Sequence, residues 1–431
     1  MKKLKAVLSG ILAVAIFGLT ACEMNLDNQS VGDPFNSRFE EEYGSDVSSE
    51  EESSLHSVVI ESSGDGSSAS ESETAIDSSV ENDSTSEETS EEKESSSEEK
   101  EEARIAPLSI HFLELGNKYT GDCTLIKVGD TEVLIDAGSR QNSATTIKNY
   151  VNQYCEDGVL EYVIATHADQ DHIAGMVGNS TDSGYNGILY SYDVETLIQF
   201  PLTGKAALTD KGNTTLYGKY LNAVEYAKSE GTSVYTALEC WNNENGASRT
   251  YTLGEGVTMH ILYQKYYEQT TSDENDYSVC MLLSQGENHY LFTGDLEKHG
   301  EQSLVENNDL PKCVLFKGGH HGSPTSNTPA LLSVIQPDIV CVCCCCGSDE
   351  YTKDVAKMFP SQAFVDNVAP FTDRVYVTTM VTASGYTSMN GNIVLSSDGG
   401  EVLVNCSNNN TLFKDTEWFK ANRTMPAAWL N

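Results

Sequence analysis

Residues 161–172 read Glu161-Tyr162-Val163-Ile164-Ala165-Thr166-His167-Ala168-Asp169-Gln170-Asp171-His172. The first five residues form a β-branched and aromatic run of strand length. It leads directly into two imidazoles and two carboxylates within six residues. Close like charges repel, so such a loop is a poor choice for stability alone. A divalent cation removes the objection, and imidazole with carboxylate suits zinc, manganese or iron. The competing reading is a solvated acidic turn. Two other segments weigh against it, because Leu291-Phe292-Thr293-Gly294-Asp295 and Leu315-Phe316-Lys317-Gly318-Gly319-His320-His321-Gly322-Ser323 repeat the pattern of an apolar strand ending in ligand-type residues. Side chains from several strand ends can meet at one edge and assemble a metal site without being neighbours in sequence.

Outward from this stretch, strands are expected at Leu108–Leu115, Cys123–Val128, Glu132–Ile135, Val257–Leu262, Ser278–Ser284, His289–Phe292, Cys313–Phe316 and Asp338–Cys346. Helices are expected at Ser143–Cys155, with Ser143 as cap, and near Leu216–Glu230, Lys298–Glu306, Thr328–Ile335 and Tyr351–Met358. Strands toward both ends with helices between them suit two sheets packed face to face with helices outside. Cys341, Cys343, Cys344, Cys345 and Cys346 lie in one small-apolar run closed by Gly347. Without paired C-x₂-C spacing this reads as a strand buried on both faces rather than a zinc site. So many thiols outside the cytoplasm point to a reducing habitat.

Taken together and in this order, H-x-D-x-D-H at 167–172, Leu134-Ile135-Asp136-Ala137-Gly138, Thr293-Gly294-Asp295 and His320-His321-Gly322-Ser323 resemble the metallo-β-lactamase superfamily. The closer likeness is to its branch containing the extracytoplasmic hydrolase domain of the competence DNA-uptake protein ComEC. Ile110–Gly116, Gly121-Asp122 and Asn275-Asp276-Tyr277-Ser278 also fit that branch. The resemblance covers about Leu108 to Val404 and implies an αββα sandwich with a metal site at one edge of its two sheets.

The resemblance also implies one or two divalent metal ions, zinc or manganese. His167 and Asp169 would bind one ion. Asp171 and His172 would bind the other, with Asp295 bridging and His321 completing the set. The usual motif has histidine at Asp169, and no clear match exists for the family's third-motif histidine, since His260 and His289 lie in strand-like runs. Asp136 would orient a ligand. His320 would face the opening and contact a substrate oxygen or protonate the leaving group, while Gly322 lets the chain turn so that His321 reaches a metal. The chemistry that follows is hydrolysis by metal-bound hydroxide, in which Asp171 takes part as ligand and catalytic carboxylate.

The termini differ in kind. Lys2, Lys3 and Lys5 precede an apolar run, Ala6 to Ala21, too short to span a bilayer and built like a secretory leader. It ends in Leu19-Thr20-Ala21-Cys22, a lipobox, so Cys22 is the expected lipid attachment point. Residues 1–21 are thus read as a lipoprotein signal peptide, 22–104 as a disordered Ser/Glu-rich tether and 105–431 as the hydrolase domain. From Glu23 to Arg104 there are 26 acidic and 4 basic residues, a composition that cannot offset the entropy of ordering. The chain carries a net charge of −39, which excludes a broadly basic nucleic-acid binder but not a local cationic patch. The expectation is therefore a lipid-anchored, extracytoplasmic phosphodiesterase acting on nucleic acid or a cell-wall polymer. A β-lactamase and a non-catalytic binding protein of the same fold are the lesser alternatives, and no protein partner can be inferred.

Overall fold

The computed structural model describes residues 104–182 and 184–430. The expected signal peptide, Cys22 and residues 22–103 of the tether lie outside the described residues. The strands are β1 Leu108–Phe112, β2 Thr124–Val128, β3 Thr131–Ile135, β4 Val159–Ala165, the short ribbon β5 Ser180–Thr181 and β6 Gly184–Tyr185, β7 Asp193–Gln199, β8 Ser233–Thr236, β9 Thr250–Gly254, β10 Val257–Leu262, β11 Cys280–Gln285, β12 Asn288–Phe292, β13 Leu315–Lys317, β14 Ile339–Cys346, β15 Val375–Thr382, β16 Gly385–Ser388, β17 Ile393–Ser397 and β18 Leu403–Cys406. Two eight-stranded sheets result, in the orders β18-β17-β1-β2-β3-β4-β7-β8 and β16-β15-β14-β13-β12-β11-β10-β9.

Each sheet is mixed. In the first, β3, β4, β7 and β8 run parallel; in the second, β12, β13, β14 and β15 do. Parallel neighbours need long crossovers, and helices such as Gln170–Val177, Leu216–Glu230, Lys298–Asn307 and Pro329–Ile335 supply them. The carboxyl ends of β3, β4, β12 and β13 deliver the polar loops singled out above. The architecture is the αββα sandwich expected from the sequence.

β14 is buried along all eight residues. Cys341 and Cys343 join the core shared with Phe112, Ile110 and Phe292, whereas Val342, Cys344 and Cys346 pack with Leu331, Leu332 and Phe364 on the other face. That alternation is why the run is small and apolar throughout. The eleven described cysteines are all buried and free of disulfides. Among the described residues no helix is long and apolar enough to cross a membrane.

Two local expectations fail. Ser143 is the first residue of its helix rather than the cap, and its hydroxyl accepts from the backbone N–H of Ser139 and Arg140. Residues 351–358 form turns instead of a helix. Thr352 and Asp354 side chains capture the N–H groups of Asp354 and Ala356, and the Arg423 guanidinium takes the carbonyls of Val355 and Met358. Short polar side chains and a tertiary cation thus compete with the helical ladder and win. β7, β8, β9, β15, β16, β17 and β18 went unread in the sequence, although β17 is one of the two strands that pair with β1.

Candidate metal centre

The site begins at Asp136, just past β3, in the left-handed region at φ 58°. Its carboxylate accepts from the Thr166 N–H (2.8 Å), the Thr166 hydroxyl (2.7 Å) and His172 Nδ1 (2.7 Å). One carboxylate therefore ties the end of β3 to the end of β4 and to the helix Gln170–Val177. The backbone closes the same junction: Asp122 N–H donates to Asp171 O at 3.0 Å, Ala137 N–H to His172 O at 2.7 Å and Gly138 N–H to Asp122 O at 2.8 Å. A Cβ on Gly138 would lie 1.5 Å from Asp171 O, so only glycine fits there.

Hydrogen bonding sets the tautomer of three histidines. Thr166 spends its one proton on Asp136, so its oxygen accepts from His167 Nδ1 at 3.1 Å. His172 Nδ1 donates to Asp136. His321 Nδ1 donates to the Cys343 carbonyl at 2.8 Å and lies 3.1 Å from Asp122 Oδ1. That carbonyl points out of the ladder where the β14–β15 register shifts between Val342 and Cys345, the kind of irregularity that redirects backbone groups beside functional sites. Each imidazole is then left presenting Nε2.

The three Nε2 atoms converge. His172 Nε2 and His321 Nε2 each lie 3.1 Å from Asp295 Oδ2, and His321 Nε2 is 3.3 Å from Asp171 Oδ2. His167, His172 and Asp295 offer ligand atoms within 4.8 Å of one another, as do Asp171, His172 and His321, and Asp122, Asp295 and His321. His167 Nε2, His321 Nε2 and Asp295 Oδ1 are buried with no hydrogen-bond partner. Lone pairs aimed at carboxylates repel unless a cation lies between them. The donor set and its orphaned atoms therefore fit a divalent cation. The same field acts on protons: burial opposes the charged forms of His172 and His321, but Asp295, with Asp136 or Asp122, outweighs it and holds both well above the ordinary histidine value. Burial likewise opposes Asp295 and Asp171, yet the histidines pull both carboxyls far below the usual range.

The grouping follows the expected one in part. His167 and His172 lie close, with ring centroids 4.1 Å apart; His172 falls with His167 and Asp295 in one group and, as expected, with Asp171 and His321 in another. Among the described residues Asp169 joins none of the three-member groups; it pairs with Lys205 through one oxygen and lies 3.6 Å from His167 Nε2 through the other. His320 does not face an opening. It is 4% exposed, packs on Phe359 and directs Nδ1 at Thr325 Oγ1 (3.1 Å) and Glu297 (3.3 Å). Burial lowers its affinity for a proton, but Glu297 and Asp295 raise it above the ordinary value overall. His260 and His289 bond Thr250, Thr258 and Ser284 within the second sheet.

Several participants were given no role from sequence. Asp122 forms a buried pair with Lys317, whose ammonium also meets Gly294 O at 3.1 Å and Asp295 Oδ1 at 3.5 Å. A lysine closing the apolar run Leu315-Phe316 was the available signal. Tyr351 donates its phenol to Asp171 Oδ2 at 2.5 Å, a contact that no local pattern announces. Ser278 Oγ accepts from the Asp295 N–H at 3.0 Å.

Residues 116–210 match the family described as the metallo-beta-lactamase superfamily. Recombination protein 2 of Haemophilus influenzae is 33% identical over 224 residues, covering 52% of this chain and 23% of that protein. ComE operon protein 3 of Bacillus subtilis is 25% identical over 178 residues, 41% of this chain and 19% of that protein. The chain thus spans about a fifth of the length of these relatives. Among solved structures, the metallo-beta-lactamase fold protein YhfI from Bacillus subtilis aligns with a TM-score of 0.36 and 11% identity, covering 64% of this chain and 97% of that one. Over residues 116–210 the chain is thus similar to the metallo-beta-lactamase superfamily, and its two-sheet architecture is the one that this likeness leads one to expect.

Proposed function

We propose that the chain is a metal-dependent phosphodiesterase, held at an outer membrane face by lipid on Cys22. The observation that carries the reading is the presentation of three Nε2 atoms, from His167, His172 and His321, at the carboxylates of Asp295 and Asp171. A divalent cation held by these residues would lower the pKa of a coordinated water toward about 7 and offset charge on the attacked group. Asp136, Thr166 and the Cys343 carbonyl hold the imidazoles in the tautomer that can ligate. Zinc and manganese both suit the mixed donor set.

Nucleic acid is the first substrate reading, favoured by a relative named as a recombination protein. A cell-wall polymer phosphodiester is the second, favoured by the strongly acidic chain, whose net charge of −39 discourages duplex binding. The test is metal analysis of dialysed full-length protein, followed by assay on bis-p-nitrophenyl phosphate, single-stranded DNA, a teichoic-type polymer and a chromogenic cephalosporin. Retention of about one or two equivalents of metal with phosphodiester cleavage is expected. Protein that keeps no metal, or cleaves only the cephalosporin, overturns the reading.

A further inference from the structure

We infer that Asp169 serves to hold Lys205 as an anion-recognition group beside the metal centre, so that the site is specific for negatively charged substrates. The inference rests on the phosphodiesterase reading and deepens it. Asp169 is the one member of the 167–172 motif that stays outside the ligand groups, and one of its oxygens is engaged by Lys205 Nζ. The placement of Lys205 is built. The Glu274 carboxylate gathers the Thr203 hydroxyl (2.6 Å), the Gly204 N–H (2.8 Å) and the Ala168 N–H (3.3 Å), and Thr203 Oγ1 in turn accepts from the Lys205 N–H at 3.0 Å. One half-buried carboxylate thereby clamps the 203–205 loop onto the backbone between His167 and Asp169.

The Lys205 side chain remains 43% exposed, so an incoming ligand can reach its ammonium, which has donors beyond the one used by Asp169. The other oxygen of Asp169 lies 3.6 Å from His167 Nε2, which places the cation next to the ligand cluster and not on a remote face. In a chain this acidic, a fixed cation at the centre is what would let a phosphodiester approach against the overall field. An aspartate at the position where the family's usual motif carries histidine gives the lysine a charged partner, which a neutral imidazole would not.

The experiment compares full-length wild type, Lys205→Met and Lys205→Arg for bound metal, for inorganic phosphate binding by calorimetry, and for KM and kcat on bis-p-nitrophenyl phosphate. Lys205→Met should retain metal, bind phosphate about ten- to a hundredfold more weakly and raise KM more than it lowers kcat, the loss expected for one charged hydrogen bond. Lys205→Arg should recover much of the affinity. Unchanged phosphate binding in Lys205→Met, or loss of its metal, overturns the inference. Wild type that binds phosphate through Lys205 yet cleaves no phosphodiester would overturn the proposed activity and leave Lys205 as an anion site.

Discussion

His320 and His321 share an unusual backbone, with φ of 47° and 53°, a left-handed pair that costs about 1–3 kcal/mol per residue and persists only where the surroundings enforce it. The strain turns neighbouring imidazoles in different directions: His321 into the ligand cluster, His320 toward Glu297 and Thr325. His321→Ala is therefore expected to lose metal and activity together. His320→Ala should keep its metal, because its imidazole bonds Thr325 and Glu297 and not the ligand cluster, and should slow turnover less than His321→Ala does. Metal content and rate measured on the same samples decide it, and the reverse pattern would mean that the roles are exchanged. Lys317 makes a different kind of claim. Its ammonium compensates the buried carboxylates of Asp122 and Asp295. Lys317→Met keeps the stem but strands both charges, and should lower unfolding free energy by about 3–5 kcal/mol in a urea titration. A loss below 1 kcal/mol would show that the pair is dispensable.

At the scale of elements, the junction of β3, β4 and the helix Gln170–Val177 is held by backbone contacts as much as by ligands. Gly138 allows its backbone to lie against Asp171 O. Gly138→Ala should push the 136–139 loop away and reduce metal affinity at least as much as loss of an orienting group, about 10–100-fold, while the far-UV circular dichroism stays near wild type. An unchanged metal titration would remove the loop from the site. The turn Glu274–Tyr277 adds a pH-dependent element. Burial first, then Glu297 and Asp273, push the Asp276 carboxyl up to about 7. A carboxyl raised in the fold keeps a proton that the unfolded chain has released, so stability falls as pH rises from about 4 to about 7. Asp276→Asn should flatten the profile of Tm against pH across that window. A profile as steep as wild type would assign the slope to other groups.

For the molecule as a whole, the cores on both faces of the second sheet and between the sheets draw, among the described residues, on buried side chains from Leu108 to Trp429. Deleting residues 1–103 should leave a soluble, cooperatively unfolding domain that still binds metal, since residues 22–103 are Ser/Glu-rich with little apolar surface to pack and the apolar run before them is the expected leader. Circular dichroism and metal analysis check this, and failure to fold would give the acidic segment a structural part. The sequence by itself determined the two-sheet class, the buried cysteine strand and the residues His167, His172, Asp295 and His321 as a group. Each of these is written in local pattern, an apolar run of strand length ending in ligand-type residues or lacking any polar break. Tertiary structure alone decided which groups stand together. The Asp122–Lys317 pair, the Tyr351–Asp171 bond, the Cys343 carbonyl on His321 and the diversion of Asp169 to Lys205 join segments far apart in the chain. Their distances follow from how two mixed sheets align the ends of their parallel strands, and periodicity along a single segment carries no record of that alignment.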